Sequence, residues 1–137
     1  MKTVAIPGAS DDPAKHGHRA VLAFAACGWR VFPVNPRARG IAGWPAFPTV
    51  RDVPERPDVV SVYVPPGVAL ALLPDIAARG CGELWLNPGV DTPEVIAAAE
   101  AAGLTVRAQC SLVALASGGK EPVGPRDGNE AAFPSVA

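Results

Sequence analysis

Short apolar runs closed by glycine or proline alternate with longer helix-forming stretches along most of the chain. Val4-Ala5-Ile6 stops at Pro7-Gly8, and a polar loop then leads into an alanine-rich helix over residues 19–27 that ends at Gly28. Residues 30–34 predict a second strand closed by Asn35-Pro36. Its internal Pro33 lacks a ladder donor and belongs at a sheet edge or a bulge. Residues 37–57, rich in Gly and Pro, predict an irregular connection with a helical turn near 50–53. Residues 58–64 form the clearest strand, β-branched and almost continuously apolar, as a central parallel strand covered on both faces must be. Pro65-Pro66-Gly67 breaks it, and residues 68–79 predict a helix stopped by Gly80. A fourth strand over 83–86 ends at Asn87-Pro88-Gly89. Thr92 can cap the next helix, Pro93 suits its first position and Glu94 its dipole; this helix runs to Ala102 and stops at Gly103. Residues 104–107 predict a fifth strand.

Strands alternating with helices imply right-handed crossovers. The expected fold class is α/β, a Rossmann-like doubly wound parallel sheet of about five strands in three α/β/α layers. A length of 137 residues suits one domain. That domain is expected over residues 1–116, and residues 117–137, dominated by Gly, Pro and charge, are expected to be a disordered tail.

Composition narrows the setting. The chain is 49% hydrophobic and 18% charged, which is globular in character, and its formal charge of -1 gives no general attraction to nucleic acid or an anionic membrane face. No apolar run approaches the roughly 20 residues of a membrane span. The first eight residues read as a strand meeting a turn rather than as a signal peptide. Cys27, Cys81 and Cys110 are scattered, odd in number and without a C-x-x-C pair, which argues against a disulfide framework or zinc site and for a reducing cytoplasm. A mean hydropathy of +0.21 leaves room for a homodimer.

In an open parallel sheet, ligands sit beyond the carboxyl ends of the strands, where strand order reverses. The loop after the first strand, Gly8-Ala9-Ser10-Asp11 and onward to His16-Gly17-His18, brings small residues to a helix N-terminus, an adequate anion site for a pyrophosphate. It matches neither G-x-G-x-x-G nor G-x-x-x-x-G-K-[ST]. After the second strand come Asn35, Pro36 and Arg37, then Arg39, with no carboxylate for ribose hydroxyls. An arginine there attracts a ribose phosphate, so coenzyme A and NADP both survive this test and NAD does not fare well. Val64 and Pro65, with Asn87-Pro88-Gly89, offer stiff walls and one point of close approach.

These residues in order resemble the small stand-alone CoA-binding proteins of bacteria. Gly8-Ala9-Ser10 with Pro13 and Gly17, Val34-Asn35-Pro36, residues 41–54, Asp58-Val59-Val60 and Cys110 carry the likeness over residues 2–115. Tyr63-Val64-Pro65-Pro66 also resembles the CoA-binding N-terminal domain of the succinyl-CoA synthetase alpha subunit. The resemblance implies coenzyme A or an acyl-CoA as ligand, with a phosphate loop at Gly8, Ala9, Ser10 and Asp11. It implies further contacts at Asn35, Pro36, Arg37, Val64, Pro65, Asn87, Pro88 and Gly89, with Gly17 among the ligand-side positions. Asp11 and Asp12 put negative charge beside that loop, and Asn87-Pro88-Gly89 stands where those relatives have a turn bearing Gln or Glu.

Elsewhere the chain shows a place to hold a nucleotide and no constellation to act on one. His16 and His18 lack a third metal partner, although His16 can reach a ligand phosphate. Cys110 is expected near the same rim, with a small buried apolar role as the simpler reading, and the tryptophans read as core or cover residues. The expected function is a non-catalytic CoA- or acyl-CoA-binding module or sensor. The alternatives are an NADP-binding reductase-like domain and a scaffold subunit that has lost its ligand.

Overall fold

The computed structural model describes residues 2–118. The expected tail lies, apart from the end of its last helix, outside the described residues. In chain order the elements are β1 (Thr3–Pro7), α1 (His16–Ala26), β2 (Arg30–Val34), β3 (Gly40–Ile41), β4 (Trp44–Pro45), a 3-10 turn (Val50–Asp52), β5 (Val59–Val62), α2 (Pro66–Arg79), β6 (Glu83–Leu86), α3 (Pro93–Ala101), β7 (Val106–Ala108) and α4 (Ser111–Gly118).

Five strands pair in parallel in the order β2-β1-β5-β6-β7, while β3 and β4 form a separate two-stranded sheet. Because side chains alternate across a strand, each central strand feeds two cores. Val4, Ile6, Val31, Val59 and Trp85 face α1 and α4 with Ala20, Val21, Phe24, Ala114 and Leu115. Ala5, Phe32, Val60, Val62, Leu84 and Leu86 face α2 and α3 with Leu73, Ile76, Val95 and Ala99. This is the expected Rossmann-like three-layer arrangement. The first core is fixed by Phe24, Trp29 and Trp85, whose ring centroids lie 4.9 to 6.3 Å apart. Trp29 and Trp85 are therefore core residues.

Pro33 is tolerated because β2 is an edge strand. Its carbonyl accepts from the Phe47 amide at 2.9 Å, and the Asn35 amide donates to the Phe47 carbonyl at 2.9 Å, so one residue of the following connection partly covers the edge.

Several elements depart from the sequence reading. Part of the connection expected to be irregular is a hairpin, β3 to β4, turned by Ala42 and Gly43 at φ 53° and 88°, a pair of positive angles that two-residue hairpins require. Two-residue strands are too short to leave an alternating pattern. Helix α1 begins at His16, a turn earlier than expected, after an extended Lys15. Strand β7 begins at Val106 rather than Leu104, because Gly103 and Leu104 donate to Glu100 and Ala99 carbonyls and so finish α3. Helix α4 was not anticipated; its cap is described below.

Cys81 is buried beside Arg56 and Glu83, and desolvation pushes its thiol up to about 11 from an ordinary value near 9, with Arg56 opposing and Glu83 adding. Tyr63 is shifted in the same direction, chiefly by burial. Between pH 9 and 11 the unfolded chain releases protons that the folded chain keeps, so stability is complete below pH 9 and falls as pH rises. The melting temperature should drop by about 5 °C or more across that window. Cys81→Ala with Tyr63→Phe should flatten the slope in a pH series of thermal melts.

Candidate ligand cleft at the strand-order reversal

Setting the small hairpin aside, strand order reverses between β1 and β5. The turns that leave these strands diverge to opposite faces, which opens a crevice at the carboxyl edge. A cleft of about 600 Å³ lies there, within the usual range for small-molecule sites. Its walls are Gly8 after β1, Ala14 to Gly17 at the start of α1, Tyr63, Val64 and Pro65 after β5, Asn87 to Val90 after β6, and Cys110 after β7.

Two missing side chains let this edge close. A Cβ on Gly17 would lie 2.1 Å from the Gly8 carbonyl oxygen, and one on Gly8, whose φ is +92°, would lie 2.5 Å from the Tyr63 carbonyl oxygen. The β1 turn, the start of α1 and the exit of β5 are thus packed backbone to backbone. The first-turn amides of α1, at His16 and Gly17, precede any intrahelical acceptor, and no side chain caps this end. His16 and Gly17 line the cleft together with Lys15, the basic residue at the N-cap position. Among the described residues, no carboxylate lines the cleft. Asp12 turns its carboxylate to the Ala14 amide at 2.9 Å, and the Ser10 hydroxyl accepts from the Asp12 amide at 3.0 Å. The arrangement suits an anion.

Gly8, His16, Gly17, Val64, Pro65, Asn87 and Gly89, all expected at the site, line this cleft. Ala9, Ser10, Asp11, Asn35, Pro36 and Arg37 do not, and their placement has a structural reason. Ala9 is buried in the α1 core. The Ser10 carbonyl accepts from His18 Nδ1 at 2.9 Å, which leaves His18 a loop fastener. Asp11, Pro36 and Arg37 are exposed. Asn35 spends its carboxamide internally, with Nδ2 donating to the Ala9 carbonyl at 2.9 Å and Oδ1 accepting from the Arg37 and Ala38 amides at 2.7 and 3.0 Å. Conversely Ala14, Lys15 and Val90 line the cleft without having been singled out, and Tyr63 and Cys110 join them. A lone lysine in a polar loop carries no pattern of its own; only the extended Lys15 before α1 brings it to the rim.

Asn87 touches the cleft yet has little to offer a ligand through its side chain. It is 1% exposed. Nδ2 donates to Ser61 Oγ at 3.0 Å and to the Val62 carbonyl at 2.8 Å, while Oδ1 accepts from the Ser111 amide at 2.8 Å. Ser61 and Ser111 hydroxyls meet at 2.9 Å. This buried network joins the ends of β5 and β6 to the start of α4, whose first amide is capped by Asn87. Tyr63 packs against the same hydroxyls beside Cys110. Gly89, at φ +98° with nothing within 4 Å of a hypothetical Cβ, keeps the β6 turn open, and its amide donates to Asp91 Oδ1 at 3.1 Å. Among the described residues, no three His, Cys, Asp or Glu side chains gather to hold a metal, and no helix is long and apolar enough to cross a membrane.

A parallel sheet with helices on both faces, and an acid-free cleft at its reversal, defines a Rossmann-like domain built to hold a small ligand. More specifically, the chain belongs to the CoA binding domain family, whose model matches residues 2–116. It is 35% identical over 81 residues to the ADP-forming acetate–CoA ligase I of Archaeoglobus fulgidus, a match covering 59% of this chain and 11% of the ligase. With ligase II of the same organism the share is 12%, so the chain spans about a tenth of the curated relatives it matches. Among solved structures, a conserved hypothetical protein from Pyrococcus furiosus superposes with a TM-score of 0.76 at 32% identity, covering 82% of this chain and 98% of that one. A Thermus thermophilus protein superposes with a TM-score of 0.75 at 36% identity, covering 82% and 86%.

Replacing Asn87 with alanine would strand the Ser111 amide, the Val62 carbonyl and the serine pair in a buried site. The expected cost is about 3 kcal/mol of unfolding free energy, read by urea denaturation.

Proposed function

We propose that the protein binds coenzyme A or an acyl-CoA in this cleft, as a binding module or sensor that performs no reaction on it. The observation that carries the reading is the meeting of Lys15 and the free first-turn amides of α1 with an acid-free cleft at the strand-order reversal, in a chain of the CoA binding domain family. The residues suit the ligand chemically. Gly8, His16 and Gly17 present small surface and backbone to a diphosphate, Lys15 supplies positive charge, and Val64, Pro65, Pro88 and Val90 form apolar walls for an uncharged arm. Bound coenzyme A supplies a thiol or thioester; the chain's own part is to grip phosphate, orient the arm and exclude water from it.

The test is a thermal-shift titration. A ligand present at a hundred times its dissociation constant stabilises the folded state by about 2.7 kcal/mol, a rise of several degrees. Coenzyme A and acetyl-CoA should both produce it, and Lys15→Glu should remove it while leaving the unliganded melt in place. Unchanged melting at millimolar coenzyme A would defeat the reading. NADPH run in parallel should have no effect; a rise with NADPH alone would favour a reductase-like domain instead.

A further inference from the structure

The two edges of the five-stranded sheet are built differently. At the β2 edge, Pro33 withholds a donor, and Phe47 bonds to the Pro33 carbonyl and the Asn35 amide. At the β7 edge, among the described residues, no element pairs on the outer side. We infer that the β7 edge is a self-association surface: β7 pairs antiparallel with β7 of a second copy of this chain about a two-fold axis, and the two five-stranded sheets become one.

The register shows which backbone groups are left over. Leu84 and Leu86 pair with Val106 and Ala108. The Leu84 amide donates to the Thr105 carbonyl at 2.8 Å, and the Gln109 amide donates to the Leu86 carbonyl at 3.1 Å. In a parallel ladder this pattern turns the backbone of Thr105, Arg107 and Gln109 toward β6 and that of Val106 and Ala108 away from the sheet. The N–H and C=O groups of Val106 and Ala108 thus form an open row. Such a row complements itself. With a two-fold axis through Arg107, Val106 of one copy stands opposite Ala108 of the other, and each pair exchanges both of its hydrogen bonds.

The side chains of this edge do not oppose that pairing. Edges that stay single are blunted by proline, a bulge or a projecting charge. The one charge on β7, Arg107, is drawn back over the sheet: its Nε lies 3.1 Å from Glu83 Oε1, and Glu83, only 7% exposed, also accepts from Trp85 Nε1 at 2.9 Å. Two such edges therefore meet with their like charges already neutralised. On the opposite face Ile96, Leu104 and Val106 are half-buried apolar side chains packed on the α2 and α3 core, and Ala108 is small and exposed. Their partly uncovered surfaces are what the same residues of a second copy would cover. Antiparallel pairing also sends the carboxyl edges of the two copies to opposite ends of the joined sheet. Neither cleft is closed by the contact, so the inference is independent of what the cleft binds.

A strand of three residues makes a small interface, of the class that dissociates at roughly micromolar concentration. Sedimentation velocity on the full chain, from roughly 1 to 300 μM to bracket such a constant, should show the mass rising from 14.0 kDa toward twice that value. Over the same range, hydrogen exchange at the Val106 and Ala108 amides should slow by about tenfold or more. A mass that stays at one chain overturns the inference, as does association that leaves these two amides fast. Equal protection at every concentration also overturns it, since the chain would then cover its own edge. Ala108→Pro removes an outward N–H that makes no ladder bond to β6, and an edge strand tolerates the ring. It should weaken association by about tenfold or more, a loss of about 1.4 kcal/mol, while the melt at low concentration and the response to coenzyme A stay as they were. A folded Ala108→Pro chain that associates like the parent overturns the inference; if the variant fails to fold, the exchange of the parent chain decides.

Discussion

The architecture of the ligand edge depends on one steric constraint, the direct contact of three backbone segments at Gly8, Gly17 and Tyr63. Parallel strands about 4.8 Å apart leave little room for the turns that depart from them. A helix that follows β1 can start over the crevice only if nothing projects between its first turn and the β1 turn. Any side chain at Gly17 would meet the Gly8 carbonyl, and any at Gly8 would meet Tyr63. The positive φ at Gly8 turns the chain at once, so that its carbonyl meets the start of α1. The result is a helix N-terminus held at the strand-order reversal, where the turns after β1 and β5 part to opposite faces.

Two buried or half-buried asparagines then hold the edge together. Asn35 ties the β2 turn to Ala9, and Asn87 ties the ends of β5 and β6 to α4. Each uses both faces of its amide, which suits a side chain that must join donors and acceptors from different segments without bringing charge into the interior. Their siting at strand ends makes them look like ligand contacts in a linear reading, and their hydrogen bonds account for them without a ligand. The energetic consequence is that the rim is preorganised: its turns are set by protein–protein hydrogen bonds, and a ligand need not order them.

The electrostatics follow from the same placements. Two nearby carboxylates are folded into turns, Asp12 by the Ala14 amide and Asp91 by the Gly89 amide, while Asp11 is exposed and does not line the cleft. Lys15 and the dipole of α1 bring positive potential to the cleft, in a chain whose net charge is only -1. Attraction for a phosphorylated ligand is thus local to this rim and owes nothing to the protein as a whole.

Alternation of apolar runs with glycine-stopped helical stretches was enough to determine the layer order and the parallel sheet, because burial on both faces leaves a strand no freedom to be polar. The small residues after the first strand were legible as a place of close approach, and Thr92-Pro93-Glu94 as a helix start, since local chemistry decides both. Tertiary structure decided what depends on partners distant in sequence. Helix α4 is capped by a residue 24 positions away, and no local pattern encodes such a cap. Pro33 is harmless only because strand order puts β2 at the edge. Lys15 reaches the rim and Arg37 stays outside it for one reason: a side chain's direction is fixed by the backbone contacts of its turn, and those contacts are made with other strands.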